Sequence, residues 1–319
     1  MYYMEMPSSR FAPALIEYRG EDSDFDNLMN VPIRRFGSMA GLVLDVREPA
    51  RYIVTDPRFT LPVDFLFFPR GGTTLLVGFH GAENRAAADL PKFQFVRSFL
   101  TREESLLFIS DSTLLQGTKI NIGWLAGNKE TPLAELMSEV VRRAGEALGV
   151  RETILAGHSA GGYSAIIVGA RVPNSRAISV SGQSVVARYE PWTVKNLHLE
   201  AFPECSTQTE MVERYAARLD LRVALKERLA SSSFSYFGNV RDQSTFGTLP
   251  HFPLLAESFG LTAAGGLTNH GDAFIATDWG SPDDTGHALP GSMLPFIQMV
   301  LGERPSLSIP CPVNPRWDR

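Results

Sequence analysis

Residues 152–170, with the sequence ETILAGHSAGGYSAIIVGA, decide the fold of this 319-residue chain. The apolar run at 153–156 predicts a buried strand, and the residues after Gly161 predict a helix. Between them lies the tight turn Gly157-His158-Ser159-Ala160-Gly161. Small residues on both sides of the serine let the backbone double back on itself. The stretch therefore predicts a strand–turn–helix unit of a parallel α/β sheet, with one serine at its corner.

The turn has the pattern G-x-S-x-G, which is typical of a nucleophilic serine. A helix that begins at the serine directs its free N–H groups and the positive end of its dipole at any negative charge forming on a substrate. We therefore predict that Ser159 is a catalytic nucleophile. The alternative is a glycine-rich turn in a parallel-sheet protein of another kind.

A second strand, at residues 73–79, is apolar along its length and is followed by His80-Gly81-Ala82. Such a run predicts a strand covered on both faces. Acyl transfer requires two backbone N–H groups directed at the developing oxyanion. We expect one from Ala160 and the other from Gly81 or Ala82, the alternative being an ordinary turn. His80 is expected to have a structural role.

Further strands and helices are predicted around this pair. Residues with β propensity precede the strand at 73–79 at 33–36, 41–46, 52–54 and 65–68. They follow it at 106–110, 176–181, 234–237 and 273–277. A helix is predicted from an N-cap at Thr131 to Gly149, with Pro132 at its first position. Strand, helix and strand in this order predict a crossover connection of a parallel sheet.

A serine hydroxyl needs a base, and the base needs a carboxylate that orients it. Among six histidines, His287 follows the last predicted strand, so it returns to the same sheet edge as Ser159. His270 is the alternative. Asp242 follows the strand at 234–237 and is the predicted carboxylate. The alternative carboxylates are Asp272, Asp278, Asp283 and Asp284.

The chain divides into three predicted parts. Residues 1–70 form an N-terminal arm and β-rich lead-in, 71–303 the core, and 304–319 an irregular C-terminal tail. Residues 184–232, which contain a helix predicted over 209–229, are predicted to be a helical cap that shapes a substrate pocket; the alternative is packing helices without substrate contact. His158, Trp124 and Trp192 are candidate pocket residues, although Trp124 equally suits a core position.

Composition excludes several classes of protein. The net charge of −5 disfavours nucleic acid as the main partner, and no apolar run reaches the length of a membrane span. The N-terminus has no features of a signal peptide, and Cys205 and Cys311 have no metal-site spacing. A cytoplasmic location is therefore expected, and no metal or cofactor is implied.

The motifs F-H-G-A at 79–82, G-H-S-A-G at 157–161 and G-H at 286–287 resemble those of the α/β-hydrolase superfamily, over residues 73–301. The resemblance implies an eight-stranded, mostly parallel sheet with helices on both faces and a Ser–His–Asp triad. The stretch F-G-N-x-x-D at 237–242 is similar to bacterial capsule-biosynthesis and accessory-secretion proteins of this fold, some of which are sugar O-acyltransferases. The core family does not account for residues 1–70.

These observations predict a serine hydrolase that cleaves an ester, thioester or amide through an acyl-enzyme on Ser159. The alternative is an acyltransferase that uses the same triad to move an acyl group to an alcohol or amine, for example a sugar hydroxyl. The substrate is accordingly expected to be a small-molecule or glycan acyl compound. A third hypothesis is a binding protein of hydrolase-like fold without catalytic activity.

Overall fold

The structure, a computed structural model, describes residues 18–19, 22–85, 89–245, 247, 250–279 and 285–303. Its strands are β1 (Phe25–Asp26), β2 (Val31–Phe36), β3 (Ala50–Val54), β4 (Val63–Phe68), β5 (Thr74–Phe79), β6 (Ser105–Ile109), β7 (Glu152–His158), β8 (Ser175–Val180), β9 (Ser232–Asn239), β10 (Gly265–Leu267) and β11 (Ala273–Thr277). Its helices are α1 (Val96–Phe99), α2 (Leu133–Leu148), α3 (Ala160–Gly169), α4 (Pro191–Ala201), α5 (Gln208–Arg214), α6 (Ala216–Leu219), α7 (Leu221–Ala224), α8 (His251–Ser258) and α9 (Leu294–Leu301). The first 17 residues of the predicted arm and the predicted tail at 304–319 lie outside the described residues.

The described strands form one sheet in the order β1-β2-β3-β4-β6-β5-β7-β8-β9-β11-β10. The central run from β6 to β11 is parallel throughout. Antiparallel pairs join β4 to β6 and β10 to β11 towards the edges. The prediction of an α/β fold with a large, mostly parallel central sheet is confirmed. The described sheet has 11 strands rather than the eight that the resemblance implied, because the strands before residue 70 extend it beyond β6.

Alternate side chains of the central strands point to opposite faces of the sheet and build two cores. Leu75 and Val77 of β5 pack into the core that also contains side chains of α2 and α3. Leu76, between them, packs into a second core with residues of α1 and α9. Helices therefore cover both faces of the sheet. Because both faces are buried, the strand has no polar side chain from Leu75 to Phe79, which explains the pattern seen in its sequence.

The segment between β8 and β9 is helical, but the single helix predicted over 209–229 is interrupted. Asp220 has an extended backbone, pairs with Val185 and accepts a hydrogen bond from the Arg222 amide, so it ends α6 and caps α7. The first piece begins at an N-cap, since the Thr207 hydroxyl accepts from the Glu210 amide at 3.1 Å. Helix periodicity alone does not reveal such a break, because the strand-like pairing of Asp220 involves a residue distant in sequence.

The later helices of this segment pack along α3. The Tyr163 hydroxyl donates to the Arg218 carbonyl at 2.7 Å, and the Leu229 amide donates to the Ala170 carbonyl at 2.9 Å. Apolar side chains of α4, α5 and α7 join the same core as α2 and α3. This part of the segment therefore covers one face of the sheet.

Two local predictions are wrong. Residues 41–46 do not form a strand, since none of the described strands pairs with them and Val43 is 70% exposed. Thr131 does not cap α2, because its hydroxyl accepts instead from the amides of Thr60 and Leu61, at 3.0 and 3.2 Å. The first prediction failed because β propensity needs a neighbouring strand, and the second because a contact distant in sequence took the capping hydroxyl.

A buried charged cluster fastens the N-terminal strands to the sheet. The fully buried Arg51 guanidinium lies 2.7 Å from Asp64 and 3.1 Å from Asp26. The Tyr18 hydroxyl also donates to Asp64, at 2.7 Å. Buried charges are tolerated when they are paired and hydrogen-bonded, so these groups depend on one another. No helix among the described residues is long and apolar enough to cross a membrane.

Candidate active site

The serine of the G-x-S-x-G turn lies between β7 and α3 in a backbone conformation that few residues adopt. Ser159 has φ 55° and ψ −124°, and its amide donates to the Val180 carbonyl of β8 at 3.0 Å. A positive φ at a non-glycine residue is strained and is held in place by its surroundings. The strained corner presents the side chain at the carboxyl edge of the sheet, where only 5% of the residue is exposed.

Two glycines make this corner possible. A Cβ on Gly157 would lie 2.0 Å from the Gly161 carbonyl oxygen, and one on Gly161 would lie 2.6 Å from the Phe79 carbonyl oxygen. Neither clash is relieved by a side-chain movement, because the opposing atoms are backbone. The glycines of the motif are therefore steric requirements of the close approach between β5, β7 and α3.

Ser159, His287 and Asp242 lie together at this edge. The Ser159 Oγ is 3.1 Å from His287 Nε2, and His287 Nδ1 is 2.9 Å from Asp242 Oδ2. Asp242 follows β9 and His287 follows β11, so the carboxyl ends of neighbouring parallel strands bring them to the serine. Gly286, with φ 75°, allows the histidine loop to approach; a Cβ there would lie 2.9 Å from the Asp242 nitrogen.

The Asp242 carboxylate is held by several donors. Its Oδ1 accepts from the Ser244 amide at 2.9 Å and from the Ser244 hydroxyl at 2.7 Å. Its Oδ2 accepts from the Thr245 hydroxyl as well as from His287. Burial opposes ionisation, but the hydrogen bonds and charge of His287 together with these hydroxyls outweigh it and lower the pKa of Asp242 to about 2. The group is therefore a carboxylate at neutral pH.

His158, a predicted pocket residue, instead contacts the backbone of His287. Its Nε2 lies 2.6 Å from the His287 carbonyl oxygen, and the two rings are 4.9 Å apart. Burial, and secondarily the charge of His287, lowers the pKa of His158 to about 4, so the ring is neutral and its Nε2–H donates. His158 thus links the serine turn to the loop that carries His287.

Gln183 contacts the serine directly, and it was not among the predicted site residues. Its Nε2 donates to Ser159 Oγ at 3.2 Å, and its Oε1 accepts from Trp124 Nε1 at 3.1 Å. Trp124, a predicted pocket residue, is only 1% exposed and lies behind Gln183. Trp124 is therefore a core residue, which was the alternative to a place in the pocket. Gln183 lies just beyond β8, the strand next to the one that carries Ser159, and this position in the sequence is the feature that could have indicated a place in the site.

The amides proposed to bind an oxyanion differ in their availability. Ala160 begins α3, so its N–H has no partner within the helix. The Gly81 N–H donates to Gln94 Oε1 at 2.9 Å and is not free in this conformation. Ala82, the next residue, is exposed and is the remaining candidate for the second donor. A Cβ on Gly81 would lie 3.2 Å from the His158 carbonyl oxygen, so this loop lies against the serine turn.

The alternative bases and acids that the structure describes have other partners. His270 and Asp272 precede β11, at the opposite edge of the sheet, where His270 contacts the Ser232 carbonyl and Asp272 pairs with Arg228. Asp278 is exposed and pairs with Arg241. Asp283 and Asp284 lie outside the described residues.

The remaining histidines have structural contacts. His80 Nε2 accepts from the Asp111 amide at 3.0 Å, as expected of a structural residue. His198 Nε2 bonds the Cys205 carbonyl at 2.7 Å. His251 Nδ1 accepts from the Ser184 amide at 3.2 Å, and burial lowers the pKa of His251 to about 4.

Aromatic residues adjoin the site on the side of Gln183. The Tyr189 ring packs edge-on against Trp124 with 5.7 Å between centroids, and it lies 6.1 Å from the His251 ring. Trp192, the third predicted pocket residue, lies on α4 and is 50% exposed. Within the described part of the chain, none of the ring contacts or hydrogen bonds joins Trp192 to Ser159 or His287.

No family model matches the chain, and no curated protein matches it in sequence. Solved structures resemble it more clearly. A capsule O-acetyltransferase of Neisseria meningitidis serogroup A matches with a TM-score of 0.53 and 14% identity, covering 76% of this chain and 95% of that one. An S-formylglutathione hydrolase from Agrobacterium tumefaciens matches with a TM-score of 0.50 and 15% identity, covering 80% and 93%. At such identities the likeness shows the fold alone, which is the predicted α/β-hydrolase fold.

Proposed function

We propose that this protein is a serine hydrolase that cleaves a carboxylic ester or a related acyl compound, with Ser159 as nucleophile, His287 as base and Asp242 as orienting acid. One observation carries the proposal: the continuous hydrogen-bonded path from Ser159 Oγ through both ring nitrogens of His287 to Asp242. A base within 3.1 Å of a serine, itself oriented by a buried carboxylate, is the arrangement that activates a hydroxyl.

In the first half-reaction the Ser159 proton passes to His287 Nε2 while Oγ forms a bond to the carbonyl carbon. The carbonyl oxygen becomes an oxyanion, which the Ala160 and Ala82 amides are proposed to bind. Collapse of this intermediate breaks the bond to the leaving group, which takes the proton from His287. Asp242 keeps the imidazolium oriented and stabilises its charge.

In the second half-reaction water attacks the acyl-enzyme and gives a proton to His287. The intermediate then releases the acid, and Ser159 Oγ recovers the proton. No metal or cofactor is required by these steps.

Acyl transfer to an alcohol or amine, such as a sugar hydroxyl, is the second candidate. The low exposure of Ser159, 5%, favours it, because a nucleophile shielded from water lets an acceptor compete for the acyl group. The capsule O-acetyltransferase of similar fold is a protein named for such a transfer. We propose small-molecule or glycan acyl compounds as the substrates of either reaction.

We further propose that the beginning of the predicted cap, around Tyr189, contributes to the substrate site. Support comes from the packing of Tyr189 against Trp124, next to the Gln183 that bonds Ser159. The later helices of the segment, which lie along α3, fit the alternative of packing helices. The boundaries at residues 70, 184 and 232 remain a proposal for the organisation of the chain.

The proposal is tested by intact-mass measurement after incubation with a fluorophosphonate probe. We expect one adduct on the wild type, none on Ser159→Ala, and strongly slowed formation on His287→Ala. Ser164→Ala, which removes a buried serine of α3, the helix that follows Ser159, is the matched control and should label like the wild type. An unlabelled wild type, or an adduct that persists in Ser159→Ala, would contradict the proposal and favour a binding protein without catalysis.

Hydrolysis and transfer are separated on fresh protein that has not been exposed to the probe, because the fluorophosphonate blocks Ser159. An aryl acetate is supplied with and without sugar alcohols or amines, and both acetate and acetylated acceptor are quantified. A hydrolase releases acetate at a rate that the acceptor does not change. A transferase forms acetylated acceptor at the expense of free acetate.

A further inference from the structure

Gln183 and Trp124 form a hydrogen-bonded pair that ends on the Ser159 hydroxyl. Gln183 is 1% exposed and lies just after β8, the strand beside the one that carries the serine. Its amide bridges Trp124 Nε1, at 3.1 Å, and Ser159 Oγ, at 3.2 Å. Neither hydrogen bond belongs to the Ser–His–Asp arrangement, so they need a separate explanation.

The indole fixes which end of the amide faces the serine. An indole N–H can only donate, so the group opposite Trp124 Nε1 must be the amide oxygen of Gln183. The NH₂ group then faces Ser159 and can only donate to it. A buried amide that could rotate would turn either its oxygen or its NH₂ group towards Ser159. The Gln183 amide cannot, because the indole only donates hydrogen bonds.

Trp124 is itself rigidly placed. It has φ 54°, and the next residue, Leu125, donates its amide to Asp111 Oδ2 at 2.9 Å. A Cβ on Gly123 would lie 2.5 Å from the same carboxylate oxygen. Asp111 thus fixes the backbone on both sides of Trp124, and the orientation of Gln183 follows from the position of the indole.

We propose that Gln183 is a further catalytic residue of the serine site and that Trp124 is a positioning residue that acts through it; the inference rests on the proposed function. Because the Gln183 amide only donates to Oγ, the Ser159 hydrogen is directed to His287 Nε2, where it must go for attack. As the proton leaves, Oγ gains negative charge, and a hydrogen bond to a charged acceptor is roughly twice as strong as one to a neutral acceptor. Gln183 therefore stabilises the departure of the proton more than the resting serine.

The test compares fluorophosphonate labelling rates of the wild type, Gln183→Met, Trp124→Phe and the double variant. Gln183→Met keeps the length of the side chain and removes the donor; we expect labelling to slow roughly 10- to 100-fold, as for the loss of one hydrogen bond to a developing charge. Trp124→Phe removes the indole donor and lets the amide turn, so labelling should slow several-fold. If Trp124 acts through Gln183, the double variant labels no more slowly than Gln183→Met alone.

Steady-state kinetics with p-nitrophenyl acetate supply the second readout. We expect kcat to fall with KM within about twofold of the wild type, because the lost interaction strengthens only as the proton moves. Gln298→Met, a buried glutamine of α9, is the matched control and should retain wild-type rates. Thermal unfolding identifies any unfolded variant. If Gln183→Met does not fold, Gln183→Glu replaces it: this side chain still accepts from Trp124, but it draws the Ser159 hydrogen away from His287 and should slow labelling at least as much.

The outcomes are distinguishable. A labelled wild type with Gln183→Met within twofold of it overturns this inference and leaves the proposed function intact. Rate losses that multiply in the double variant show that Trp124 acts independently of Gln183 and overturn its positioning role. An unlabelled wild type overturns the proposed function and this inference with it.

Discussion

Replacing Asp242 by asparagine is predicted to silence the serine by turning the His287 ring into its unreactive tautomer. The Oδ1 position faces the Ser244 backbone N–H, which can only donate, so an asparagine must keep its oxygen there. Its NH₂ group then occupies the Oδ2 position and donates to His287 Nδ1. The imidazole proton moves to Nε2, which is the nitrogen that accepts the Ser159 proton in the proposed mechanism.

The structure sets the size of the effect. The variant loses both the acceptor function of Nε2 and the carboxylate that stabilises the imidazolium. Loss of the correct tautomer in a serine triad costs about 10⁴-fold in rate, or about 5 kcal/mol in the barrier. The substitution also affects the stability of the fold, because the pKa of Asp242 is lowered to about 2 in the folded protein. A carboxyl whose folded-state pKa is depressed stabilises the fold above its unfolded pKa and loses that contribution as the pH falls through the folded value, here about 2 kcal/mol.

The assay is the rate of fluorophosphonate labelling at pH 7, together with turnover of p-nitrophenyl acetate and urea unfolding at the same pH. The matched control is Asp278→Asn. It removes an exposed carboxylate that lies at the same edge of the sheet and pairs with Arg241. We expect Asp242→Asn to be folded and nearly inactive, and the control to be within twofold of the wild type. A folded Asp242→Asn that keeps a tenth or more of the labelling rate would refute the assignment of the acid and the tautomer argument.

Two further predictions concern stability. Arg51→Met leaves the buried Asp64 without its ion-pair partner and Asp26 with Arg19 alone, so the free energy of unfolding in urea should fall by about 3–5 kcal/mol. Arg47→Met, at an exposed ion pair, should leave it nearly unchanged, and equal effects would contradict the buried cluster. Burial lowers the pKa of His251 to about 4, so the folded protein favours the neutral ring. The resulting contribution to the free energy of unfolding is complete above the unfolded pKa of about 6.5. About 3 kcal/mol of it is lost as the pH falls to 4. Urea unfolding from pH 7 to 4 should therefore show a shallower decline in His251→Asn than in the wild type, and identical declines would count against the burial argument.

The central features of the site could be predicted because they are local. The G-x-S-x-G turn contains its own steric requirement, since Gly157 and Gly161 must approach within a distance that no Cβ allows. Asp242 and His287 each follow a recognisable strand, and parallel strands bring their carboxyl ends to one edge. Their catalytic roles remain predictions, tested by the labelling experiments above.

Other features depend on partners distant in sequence. Residues 41–46 have β propensity but pair with no strand in the described part of the chain, and the Thr131 hydroxyl bonds residues about seventy positions earlier. Trp124 and Gln183 are 59 residues apart, and neither has a sequence pattern that indicates a contact with the other. Such side chains find their role only when the chain has closed around them.

The sequence by itself determined the α/β class, the strained serine turn and the strand ends from which the site residues project. These follow from hydrophobic periodicity and from glycine sterics, which act over a few residues. Only the tertiary structure decided the order of the strands, the division of residues 184–232 into short helices, and the polar contacts of Ser159 beyond its histidine. The physical reason is that a polar group bonds whichever partner lies near it in the folded chain. In this sheet, strands that follow one another in sequence are not always neighbours, so no local stretch of sequence specifies which groups become close.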